Sequence, residues 1–118
     1  MQRNFTFLPG AVQVTLERGD HPEDIVPVLS EAARIARDKQ LANLVVVSGY
    51  RDPASTHAVS QALEEIHALG APPPFKIAFV AYMLPQFAVY HFAERYAQRF
   101  GIRAKVHVSI RDARDWLG

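Results

Sequence analysis

Apolar and polar residues alternate at the start of the chain, with Phe5, Phe7, Val12, Val14 and Leu16 set between Thr6, Gln13, Thr15 and Glu17. Successive side chains of a strand point to opposite faces, so this period of two predicts a pair of half-buried strands. Pro9-Gly10 lies between them. Proline fixes φ near −65° and glycine tolerates positive φ, the two requirements of the centre of a type II turn, so the pair is a hairpin. From residue 22 to 39 the period lengthens: Ile25, Val28/Leu29, Ala32 and Ile35/Ala36 stand three and four apart and predict the first helix. Pro27 cannot donate its N–H, so the regular helix is expected to begin near it or bend there. The acidic stretch from Asp20 to Asp24 suits the positive end of a helix.

Leu44 to Val47 is a short continuous apolar run, which predicts an inner strand covered on both faces and ended by Ser48-Gly49. Asp52-Pro53 reads as a cap and first-turn pair for a second helix carrying Val59, Ala62/Leu63, Ile66 and Leu69 up to Gly70. The triplet Pro72 to Pro74 is read as a stiff surface connector rather than a recognition motif. Ile77 to Ala81 predicts a second inner strand. Pro85 opens a third helix with a stripe of Val89, Phe92/Ala93, Tyr96 and Phe100, closed at Gly101. Ala104, Val106 and Val108 then alternate with Lys105, His107 and Ser109, which describes a strand with one wet face at or near a sheet edge. Ser109 and Asp112 have capping-box spacing for a last short helix that buries Trp116.

The order is therefore β-β-α-β-α-β-α-β-α: an α/β fold with one mixed sheet of about five strands, its helices linking parallel neighbours after an antiparallel hairpin. A length of 118 residues predicts a single domain, residues 1–118, and 49% hydrophobic residues supply one core. The absence of cysteine excludes disulfide frameworks, thiol catalysis and thiolate metal sites, and favours a cytoplasmic location. Met1 to Phe5 lacks the apolar core of a signal peptide, and the apolar run Ile77 to Leu84 falls far short of the ~20 residues that span a bilayer. No membrane association is expected.

The net charge is +1, too balanced to predict a nucleic-acid partner. Its distribution is uneven: residues 1–94 carry a net −3 and residues 95–118 a net +4. Arg95 and Arg99 share a helix face, and Arg103 and Lys105 lie on the adjoining strand. With no nucleic-acid motif beside them, they read first as a solvated face.

Two blocks carry a family resemblance. Phe75 to Val80 is similar to the "kIAiV" strand, and Ser109 to Leu117 to the "s-x-x-x-A-x-x-WL" ending, of the SpoIIAA-like or STAS-like domains of bacteria, relatives of anti-sigma-factor antagonists. With the element order, the resemblance spans nearly the whole chain. It implies a SpoIIAA-like fold and a regulatory or binding module without catalytic activity, which works through an unknown protein partner, a second copy paired at an edge strand, or a small ligand. Antagonists of that group carry a phosphorylatable serine in an Asp-Ser-Ser/Thr-Gly setting at a helix start. The nearest equivalent here is Asp52-Pro53-Ala54-Ser55-Thr56-His57, which separates the Asp from the Ser and lacks the Gly. Ser55 is thus the candidate phosphosite, and capping logic reads it first as a serine that satisfies the free N–H groups at the helix start.

Local spacing offers little catalytic chemistry. The five histidines stand at 21, 57, 67, 91 and 107, with none three or four residues from another, and Glu64-Glu65 point about 100° apart on their helix. No metal or other cofactor is expected. Open α/β sheets present crevices at the carboxyl ends of their parallel strands, here Ser48 to Asp52, Tyr82 to Gln86 and Ser109. In that crevice Arg51 and the amino end of the next helix, at Ser55 and Thr56, form a candidate site for a small anion, with Ser48 beside it and Tyr50 and Tyr82 as walls. The competing reading is an enzyme or apolar-ligand carrier that uses the same crevice.

Overall fold

A computed structural model describes residues 5–16, 21–49, 52–70 and 75–118. The hairpin is β1 (Phe5–Leu8) and β2 (Ala11–Thr15), with Leu8 and Ala11 paired across Pro9-Gly10 and Gly10 at φ 78°, as a type II turn requires. A 3-10 turn (Pro22–Asp24) leads into α1 (Ile25–Asp38), followed by β3 (Asn43–Val47), α2 (Thr56–Ala68), β4 (Phe75–Val80), α3 (Leu84–Ala97), a second 3-10 turn (Gln98–Phe100), β5 (Ile102–His107) and α4 (Ile110–Leu117). The strands lie in the order β1-β2-β3-β4-β5, antiparallel at the hairpin and parallel from β2 to β5. The α/β order read from the sequence is the order found.

Both runs assigned to inner strands are central. Leu44 to Val47 and Ile77 to Val80 are buried on both faces, and they pair directly in parallel register, Leu44 against Ile77 and Val47 against Val80. On one face Val12, Val14, Leu44, Val46, Ile77 and Phe79 meet α1, α2 and α3, which pack side by side. On the other face Val45, Val47, Ala78 and Val80 meet Ala113, Ile110, Trp116 and Leu117 of α4, with Leu8 and Tyr82 beside them. With only eight residues, α4 packs mainly on β4 and less on β3 and β5, so among the described residues it covers the middle of its face and leaves the margins to the strands. It is too short to be stable alone; the Ser109 hydroxyl, which accepts from the Asp112 amide at 3.1 Å, and the packing of Trp116 hold it.

α1 begins at Ile25, close to Pro27 as expected, which puts the proline in the first turn, where a missing N–H costs nothing. Three local expectations are corrected. α2 is capped by Ser55 rather than Asp52-Pro53, because the Ser55 hydroxyl reaches the Ala58 amide at 3.0 Å and its backbone is extended. The sheet-facing stripe of α3 is Gln86, Tyr90, Ala93 and Ala97; the two alanines let the helix approach the sheet closely. Tyr96 and Phe100 meet α2 instead, where Phe100 stacks on His67 at 4.9 Å and the Tyr96 hydroxyl donates to Glu64 at 2.9 Å, while Phe92 stacks on Tyr96 at 5.5 Å. Finally, Phe7 is half-exposed on an edge strand beyond the reach of the helices, with the Lys39 ammonium 5.0 Å from its ring centre.

Candidate functional site

The carboxyl ends of β3 and β4 are tied to α3 by two side chains. Gln86, in the first turn of α3, is 1% exposed. Its Oε1 accepts from the Tyr82 and Met83 amides at 2.9 and 3.2 Å, and its Nε2 donates to the Gly49 carbonyl at 3.0 Å. One amide group thereby satisfies three backbone groups of two loops. Gly49 adopts φ 59°, and a Cβ there would stand 3.1 Å from the Leu16 carbonyl, so the backbone passes as closely as glycine allows. Tyr90, one helical turn further along α3, stacks on Phe79 with ring centres 4.3 Å apart and shares a hydrogen bond with the Ser48 hydroxyl.

The residues of the sequence-derived crevice take up separate positions around this tie. Ser48 is 1% exposed beneath α3, its hydroxyl engaged by Tyr90. Tyr82 packs on the opposite face of the sheet with Val45, Val47 and Val80. The two therefore belong to neighbouring strand ends but to different faces. Ser55 is exposed, and its hydroxyl caps α2. Tyr50 and Arg51 lie outside the described residues. Gln86 was not singled out from the sequence, although a glutamine three residues after Met83, just beyond Pro85, has the spacing of a reciprocal helix cap, and that signal was available.

Above this tied floor the rim is apolar. Leu84 is 84% exposed and Val108 60%, and Met83 is also exposed, all three just beyond the ends of the adjacent strands β4 and β5. Three basic side chains gather further along β5. Arg103 and Lys105 are exposed on the α4 face of the strand and Lys76 is their neighbour on β4; Arg95 lies on α3, and Arg99, on the second 3-10 turn, holds its guanidinium 5.0 Å from the Tyr96 ring centre. Lys76 places its ammonium 5.3 Å from the ring centre of Trp116, which also meets His107 at 5.4 Å. His107 is buried, with no hydrogen-bond partner at Nε2 among the described residues. Burial, reinforced by the Lys105 charge, holds its pKa below the ordinary histidine value against the weaker pull of Asp112 and Glu94. Among the described residues no three His, Asp or Glu side chains gather as a metal site would need, and no helix is long and apolar enough to cross a membrane. No family model, curated protein or solved structure matches this chain.

Both the glutamine tie and the buried histidine have measurable consequences. Gln86→Leu strands two amides and a carbonyl, each worth about 1–3 kcal/mol when buried without a partner, so urea unfolding should show a loss of about 3 kcal/mol; an unchanged midpoint would refute the tie. In the folded state His107 takes up its proton only at a lower pH than in the unfolded chain, where it does so as the pH falls through about 6.5. The unfolded state then binds more protons, so stability falls as the pH drops below that value. Urea midpoints at about pH 7.5 and about pH 5.5 should therefore fall further for the wild type than for His107→Leu, and equal falls would refute the assignment.

Proposed function

We propose that this chain is a STAS-like binding module that performs no chemistry of its own and acts by docking another protein at the apolar rim beyond β4 and β5. The observation that carries the reading is the contrast between floor and rim. Ser48, Gln86 and Tyr90, the polar side chains at the strand ends, are engaged in holding loops and helix together. The exposed groups above them, Met83, Leu84 and Val108, offer contact area rather than acid, base or nucleophile. A scaffold of this kind presents a rigid apolar patch of the sort that anchors protein interfaces. The resemblance of Phe75–Val80 and Ser109–Leu117 to STAS-like strands and tails supports a regulatory role of the same type.

A photo-crosslinking residue at position 84 in the host cell should yield one discrete protein adduct. The same residue at Gln61, exposed on α2, should not, and Val108→Lys should abolish the adduct at 84. The adduct's protein, once identified and purified, should then bind the wild type and not Val108→Lys in calorimetry. Equal labelling at 61 and 84 would contradict the proposal. So would a stoichiometric small molecule that persists in native mass spectrometry of freshly purified protein, which would establish the ligand-carrier alternative.

A further inference from the structure

The outer edge of β5 lies in a groove of about 310 Å³, with Ile102 to Lys105 as its floor, Glu94 of α3 and Gln98 of the 3-10 turn after it as one wall, and Trp116 of α4 as the other. Two hydrogen bonds fix the backbone direction within this groove. The His107 carbonyl accepts from the Ala81 amide at 3.0 Å, so the odd-numbered residues of β5 turn their backbone groups toward β4. The Val106 amide donates to the Glu94 carboxylate at 2.8 Å, so the even-numbered residues turn theirs outward. Glu94 thus closes one end of the edge, and the N–H and C=O groups of Ile102 and Ala104 face the groove. They form a short ladder that an extended chain can complete.

Charge selects the occupant. Arg103 and Lys105 flank Ala104 on the α4 face, and Arg103 stands directly across from Lys76 of β4. Like charges opposite one another destabilise a sheet. Among the described residues neither Arg103 nor Lys105 has a carboxylate partner, and Lys76 is held only over the Trp116 ring. A second copy of this chain does not relieve this. Antiparallel pairing of two β5 strands about Ala104 sets Arg103 opposite Lys105 of the other copy, and β1, the other edge, reads Phe-Thr-Phe-Leu with no acid. A strand with carboxylates two residues apart does relieve it, since residues i and i+2 share a face at about 6.6 Å, the spacing of Arg103 and Lys105. The residue between them points to the α3 side, over half-buried Ala104, where a small apolar side chain fits.

The geometry points to β5 as an acceptor edge for an extended acidic segment of a partner protein, of the pattern acid-apolar-acid, which adds as a sixth strand beside Ile102–Lys105. This surface lies away from the Leu84 and Val108 rim, and it stands or falls independently of it.

The test is fluorescence anisotropy with a fluorescein-labelled octapeptide alternating glutamate and valine. The wild type should bind it. Arg103→Glu with Lys105→Glu should weaken binding by at least about tenfold and should gain the matching lysine-valine peptide, because the charge logic inverts. Methylating alternate peptide amides, which leaves every charge in place, should also weaken binding by about tenfold or more, since a strand that cannot donate cannot extend the ladder. Ala104→Pro should act in the same way, as its outward amide makes no bond to β4, and the methylated peptide carries the test if that variant fails to fold. No binding up to about 1 mM would overturn the proposal and leave the basic pair as protection of a bare edge. Equal binding of the methylated peptide would overturn it in favour of unspecific charge attraction. Tighter binding of oligothymidylate than of the acidic peptide, lost in the same charge reversal, would overturn it in favour of a nucleic-acid surface.

Discussion

Burying β3 and β4 on both faces takes the backbone polar groups of two strands out of water, and each must then find its partner within the sheet. The register meets that demand: β3 pairs with β2 and β4 along all of Asn43–Val47, and β4 with β3 from Lys76 to Val80 and with β5 from Phe75 to Val80. Continuous runs such as Leu44–Val47 and Ile77–Val80 satisfy the other half of the constraint, because every side chain, whichever face it takes, enters an apolar layer. Parallel pairing requires a crossover between each pair of strands, and α1, α2 and α3 are those crossovers, packed side by side on one face. The opposite face is left to α4, the helix after β5.

That helix is short. α4 covers the centre of its face and no more, so the character of each margin is set by the strands themselves. Among the described residues, the β5 margin is an edge that turns the backbone groups of Ile102 and Ala104 into a groove beside two cations, and the strand ends carry a rim of exposed apolar side chains. Polar residues at the strand ends play a different part. Gln86 and Tyr90 join α3 to the loops after β3 and β4, which makes the rim a rigid platform rather than a mobile one.

The fold was legible where one interaction dominates a segment. Short apolar runs rich in β-branched residues and bounded by turn signals favour inner strands, Pro9-Gly10 admits few alternatives to a tight turn, and Ser109 with Asp112 marks a helix start. Legibility failed where two faces of a helix are both apolar. In α3 the spacing groups Ala93 with the large residues Phe92, Tyr96 and Phe100; the sheet takes Ala93, together with Ala97, and not the large three, because close approach matters more than side-chain size. Less of the site could be read. Ser48 and Tyr82 were placed correctly at adjacent strand ends, but a sequence does not say that they fall on opposite faces, nor that a glutamine will be buried to hold three backbone groups. The basic residues from Arg95 onward were visible as a composition shift, but their meaning depends on which strand is the edge.

Native-state hydrogen exchange tests the central claim most directly. If β3 and β4 are the doubly covered heart of the molecule, the amides of Val45 to Val47 and Ala78 to Val80 exchange only through global unfolding and are the slowest in the protein, while Thr6 and Phe7 of the β1 edge exchange orders of magnitude faster. Comparable rates in the central strands and the β1 edge would contradict the account.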